Sequence, residues 1–163
     1  MKSILSVLTF LVLLIIQTTW DGVLSLFGIM PNILLVYTLL MSFNSTPLKA
    51  GIIGAVCGLA FDVSGSGVIG LNAIIIMYTA VIASMSASKF YCENCLVSGG
   101  MVFVLTLVSQ LLRVLFSSLI YSGFSFWLIA IRYVVPECFM NFVVVLIMFW
   151  WVKWLNNRYI RGL

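Results

Sequence analysis

Apolar residues fall in six long blocks, near 4–20, 31–43, 50–61, 68–87, 97–121 and 127–152, separated by short polar or Gly/Pro-bearing interruptions. None of the blocks alternates apolar and polar positions as a lipid-facing strand would, which argues against a β-barrel. Runs of this kind suit helices that cross a bilayer, where about 20 residues span the hydrocarbon. The second and third blocks are short for a crossing. They are completed by Phe27 to Met30 and by the residues around Phe61 to Val63, or matched by local thinning of the bilayer. The pattern predicts an all-α fold, a polytopic transmembrane helix bundle of six spans that forms a single integral membrane domain over residues 1–163.

Composition fixes the solvent. Of 163 residues, 64% are hydrophobic and 7% charged, against roughly a quarter charged in a soluble domain. A water-solvated core of this size cannot hide that much apolar surface. The net charge of +4 would suggest nucleic acid in a soluble protein, but basic residues scattered along an apolar chain read better as topology signals, and no nucleic-acid partner is expected. With the N-terminus in the cytoplasm, Lys2, Lys49, Lys89, Lys153, Arg158 and Arg161 all fall inside, and no outer loop carries a lysine or arginine. Asp21 and Asp62 fall outside. This satisfies the positive-inside rule and predicts an N-in/C-in arrangement. Tyr121, Phe124, Phe126 and Trp127 then suit an outer interfacial belt, and Trp150, Trp151 and Trp154 an inner one. The first block has the positive start and apolar centre of a signal peptide, but it ends in Gln17-Thr18-Thr19-Trp20 without a small-x-small cleavage site, so it is expected to remain as the first span.

The chemistry on offer is sparse. Cysteines stand at 57, 92, 95 and 138, two of them as Cys92-Glu93-Asn94-Cys95, and there is no histidine. A zinc site built on one CxxC would lack half its ligands, so free thiols facing a reducing cytosol are expected, and neither metal nor cofactor. The absence of histidine removes the commonest general base. No Ser/Lys or Cys/His constellation, P-loop or dinucleotide fingerprint is present, which leaves only a carboxylate-dependent membrane enzyme as a catalytic reading. Ion-coupled transport would want carboxylates near the midplane, and the sequence places none there. No internal repeat supports an inverted-repeat transporter.

Some positions stand out from the apolar background. Ala50, Gly54, Gly58 and Asp62 recur every four residues, stacking small side chains on one helical face with a carboxylate at its outer end. With Gly51, these glycines form a candidate helix-packing or partner face, serving either packing within the chain or docking of a partner's helix. Asp62 is read either as a solvated loop residue or as an acceptor for the backbone of the following turn, Ser64-Gly65-Ser66-Gly67 with Gly70. Arg113 lies roughly 12 Å inside the outer end of span five at 1.5 Å per residue. Arg132 and Glu137 flank the start of span six, with Pro136 expected to bend the helix. Arg113, Arg132, Glu137 and Asp62 are expected to form a polar cluster in the outer half of the bundle, one arginine pairing with Glu137. Snorkelling to the interface is the alternative for Arg132.

Three stretches carry a resemblance: Gln17-Thr18 closing span one, Gly28-Ile29-Met30-Pro31-Asn32-Ile33-Leu34-Leu35, and Gly51 to Gly58-Leu59-Ala60-Phe61-Asp62-Val63 running on through Gly70-Leu71-Asn72-Ala73. Their order resembles the bacterial rod shape-determining MreD family over about residues 13 to 80, and the rest of the chain is similar mainly in length and hydropathy. Family-like positions are Gln17, Pro31, Asn32 and Gly70, with Pro136-Glu137 and Asn141 similar to the family's last span. Where the family usually has a Pro-Asp pair at the start of span two, this chain has Pro31-Asn32. That removes a carboxylate but keeps a capping side chain. The resemblance implies a multi-pass protein of the bacterial inner (cytoplasmic) membrane that maintains rod shape within the cell-wall elongation machinery. Its implied partners are a bitopic MreC-like protein, actin-like MreB, and the membrane glycosyltransferase and transpeptidase of peptidoglycan synthesis. It also implies a likeness to the substrate-binding subunits of energy-coupling-factor transporters. A small-molecule-binding subunit of a vitamin or metabolite importer is therefore the alternative function.

Overall fold

The computed structural model describes residues 2–19, 31–63, 69–87, 94–120, 132 and 134–160. Its helices are α1 (Lys2–Thr19), α2 (Ile33–Ser42), α3 (Pro47–Val63), α4 (Leu71–Ala87), α5 (Cys95–Ile120) and α6 (Val135–Ile160), with no strand among the described residues. The stretches Cys95–Phe116 and Val135–Trp154 are long and apolar enough to cross a membrane, while Leu8–Thr19, Ile33–Ser42 and Leu71–Ala87 are shorter apolar helices.

α2 is the hub. It touches all five other helices, and Leu34, Leu35, Val36, Tyr37, Leu39 and Leu40 are buried around its whole circumference. A helix that is apolar all round can be satisfied in this way only if others surround it. The core grows from it through Ile76 and Ala83 of α4, Val102 and Leu105 of α5, and Val145, Met148 and Phe149 of α6. α2 ends in a tight turn, where Asn44 and Ser45 donate to the carbonyls of Met41 and Ser42. Pro47 then opens α3 at the position where its missing N–H costs nothing.

α3 and α4 share the most extensive helix contact and α5 and α6 the next. Small residues permit both. A Cβ at Gly54 would come within 2.8 Å of the Ile76 carbonyl oxygen, and one at Gly99 within 2.8 Å of the Phe142 ring. The polarity is that of a lipid-solvated protein. Ile52, Val56, Ile82, Val104, Phe139 and Ile147 face outward, while Thr38, Thr79, Ser98, Thr106 and Asn141 are enclosed. Two of the enclosed hydroxyls return to their own helix, Thr38 to the Leu34 carbonyl (2.7 Å) and Thr79 to that of Ile75 (2.9 Å), so neither donor is left unpaired.

Five of the six apolar blocks lie within a few residues of the observed helices. Of the sixth, residues 127–131 and 133 lie outside the described residues, and α6 runs from Val135 with Pro136 in its first turn. Arg132 and Val134 occupy a π-helical turn just before it. The extension of span two through Phe27 to Met30, Asp21, Lys89, Cys92, the Ser64 to Gly67 turn, Arg161 and the aromatic group Tyr121, Phe124, Phe126 and Trp127 lie outside the described residues.

Candidate functional site

Polar side chains gather at one end of the bundle, where α1 and α3 finish, α2 and α4 begin, and α5 and α6 run past. Pro31 has no N–H, and the first amides of α2 have no intrahelical acceptor. The Gln17 side chain serves both neighbours, its Nε2 donating to the Pro31 carbonyl (3.3 Å) and its Oε1 accepting from the Ile33 amide (3.0 Å). Asn32 caps α2, its Oδ1 accepting from the Leu35 amide (3.0 Å), while its own N–H donates to Asn141 Oδ1 on α6 (2.7 Å). Each amide is thereby oriented with its oxygen toward a backbone donor. That leaves Asn32 Nδ2 and Asn141 Nδ2 buried without hydrogen-bond partners among the described residues.

Glu137 stands one turn before Asn141 on α6 and accepts a hydrogen bond from Gln110 Nε2 of α5. Arg113, on the same face of α5 as Gln110, lies over the Phe61 ring at 5.6 Å from its centroid and within electrostatic range of both Glu137 and Asp62. Asp62 closes the circuit at α4. Its carboxylate accepts from the amides of Gly70 (2.8 Å), Ala73 (3.2 Å) and Asn72 (3.3 Å) and from Asn72 Nδ2 (2.7 Å). A carboxylate is at home on the unsatisfied N–H groups of a helix start. Gly70 has φ +93°, a left-handed conformation that glycine adopts without penalty, and it delivers the first of these amides.

All six helices therefore contribute to one buried polar belt. Asp62, 3% exposed, follows the hydrogen-bonding alternative and not the solvated one. The structure brings Asp62, Arg113 and Glu137 together and leaves Arg132 exposed. Arg113 and Glu137 interact through their charges, while Gln110 hydrogen-bonds the carboxylate and Arg113 Nε and Nη2 have no hydrogen-bond partner among the described residues. Gln110, Asn72 and Thr106 were not singled out by the sequence reading. The signal for α5 was the three- and four-residue spacing of Thr106, Gln110 and Arg113 in an otherwise apolar helix.

The glycine face belongs to the chain itself. A Cβ at Gly58 would overlap the Ala73 backbone, and one at Gly54 would meet Met77 Cα and Ala80 Cβ at 2.9 Å. α4 thus covers the surface on which a partner's helix was the alternative. Gly51 is looser, its nearest neighbour being Val81 Cγ2 at 3.1 Å. Cys57 and Cys138 are free thiols buried inside the bundle, not facing the cytosol. No metal-binding group of three or more such ligands occurs among the described residues.

Residues 1–159 match the family model of the rod shape-determining protein MreD. The chain belongs to the MreD family. No curated protein and no solved structure matches it. The MreD match extends the resemblance of residues 13 to 80 to nearly the whole chain, so the α5 and α6 side of the belt lies within it as well. MreD proteins are shape-determining membrane proteins with a structural role and are not known as enzymes.

Proposed function

We propose that this MreD chain is a non-enzymatic, multi-pass adaptor of the inner membrane that holds an MreC-like bitopic protein together with MreB and the membrane glycosyltransferase and transpeptidase of cell-wall elongation. The observation that carries the reading is the belt. Hydrogen bonds and charges link all six helices, giving a stiff frame whose outer faces are apolar and available to other helices. In lipid, helices associate through close packing and hydrogen bonds, because lipid tails already solvate apolar side chains. With the glycine face occupied by α4, the partner surface is assigned to outward stripes such as Ile52, Val56 and Leu59 of α3.

In this reading residues 1–163 form one integral membrane domain of six spans with both ends in the cytoplasm. Lys49 and Lys153 are exposed at the end opposite the belt, which supports that orientation. The architecture is then similar to the substrate-binding subunits of energy-coupling-factor transporters, put to scaffolding. The test is affinity purification of the tagged protein from native membranes in mild detergent, followed by mass spectrometry. Recovery of a bitopic coiled-coil protein with wall-synthesis enzymes is expected. Recovery of a transmembrane coupling subunit with paired ATPases would make it an importer subunit instead.

A further inference from the structure

Among the described residues the charges of the belt do not cancel. Two carboxylates, Asp62 and Glu137, face one guanidinium, that of Arg113. They differ in what holds them. Asp62 accepts from four N–H groups at the start of α4, an environment that favours a carboxylate. Glu137 accepts from the neutral amide of Gln110. Meanwhile Nε and Nη2 of Arg113, which together form one bidentate edge of the guanidinium, are enclosed without hydrogen-bond partners among the described residues. The other groups near Glu137 do not restore the balance. Its own helix presents the Cys138 thiol, and α5 presents Gln110 beside Arg113. Arg132 is exposed. An uncompensated carboxylate at membrane depth is strongly disfavoured.

We propose that Glu137 is a proton-binding site that sets the partner of Arg113. With the proton bound, the belt carries no net charge and Glu137 rests on Gln110, the arrangement seen here. When the proton leaves to water, no other covalent bond changes. The carboxylate then takes the open edge of Arg113, moving the tie between α5 and α6 nearly one turn toward the outer end and drawing the guanidinium off Phe61. This goes beyond the adaptor reading and does not depend on it.

The chain makes the test clean, because its acidic side chains are Asp21, Asp62, Glu93 and Glu137 alone. Infrared difference spectra between neutral and alkaline pH are recorded on the full-length protein in nanodiscs of ether-linked lipid, which lack ester carbonyls. At neutral pH, where an ordinary glutamate is ionised, the expected result is a protonated-carboxyl band that gives way to a carboxylate band at alkaline pH. It moves when glutamate is labelled with carbon-13 at its carboxyl group, persists in Glu93→Gln and is lost in Glu137→Gln. Absence of the band, indifference to the glutamate label, or survival in Glu137→Gln would overturn the proposal. Should Glu137→Gln fail to fold, the label combined with Glu93→Gln assigns the band on a chain whose belt is untouched.

Discussion

Asn32 shows how one side chain meets several demands. Its oxygen caps α2 and its backbone amide reaches α6, but its Nδ2 holds no hydrogen bond among the described residues. The atom that distinguishes asparagine from aspartate is thus the one not in use. Asn32→Asp, which restores the family's usual residue, is expected to keep the cap, and the new charge would sit at a helix N-terminus that favours it. Thermal unfolding in detergent should find it within about 1 kcal/mol of the parent, whereas Asn32→Leu should lose about 1–2 kcal/mol with the cap. A drop for Asn32→Asp as large as that for Asn32→Leu would show that the amide nitrogen matters. The departure from the family's Pro-Asp pair is in these terms a near-isosteric exchange.

At the level of elements, the close approach of α3 against α4 is graded along its length. Gly58 meets backbone, Gly54 meets backbone and a Cβ, and Gly51 meets one valine methyl at 3.1 Å, which has to give by only a few tenths of an ångström. Alanine should therefore be costly at 58 and nearly neutral at 51. A loss above about 2 kcal/mol is expected for Gly58→Ala and below about 1 kcal/mol for Gly51→Ala, read from thermal unfolding or from the yield of monodisperse protein. Equal effects at the two positions would refute the gradient. The four-residue recurrence of small side chains was plain in the sequence, but not which helix would cover it, because spacing defines a face without naming its neighbour. The helices themselves were legible for a simple reason: in lipid each crossing must be apolar and nearly continuous. The belt was legible in its charged members and, through the family resemblance, at Gln17, Asn32 and Asn141, but not in its connections. The Asn32–Asn141 bond joins residues 109 positions apart, and such a tie depends on packing that no local pattern encodes.

For the whole molecule, the two ends are chemically unlike. The belt end holds buried amides and carboxylates, and the far end carries Lys49 and Lys153 with the exposed rings of Trp150, Trp151 and Trp154. The orientation proposed above makes a direct prediction. In a cysteine-free variant, Ile69→Cys, beside the belt and 77% exposed in the parent, should react with a membrane-impermeant maleimide in spheroplasts. Lys49→Cys should react only after permeabilisation, and the reverse pattern would invert the topology. The place of α2 bears on how such a protein is made. Ten residues of helix are about 15 Å long, half of a hydrocarbon core about 30 Å thick, and α2 keeps almost no side of its own for lipid. During synthesis it has little to gain from leaving the translocon by itself. It should remain there until the hairpin of α3 and α4 emerges to receive it, which makes membrane insertion of this chain a collective step and not a sequence of independent ones.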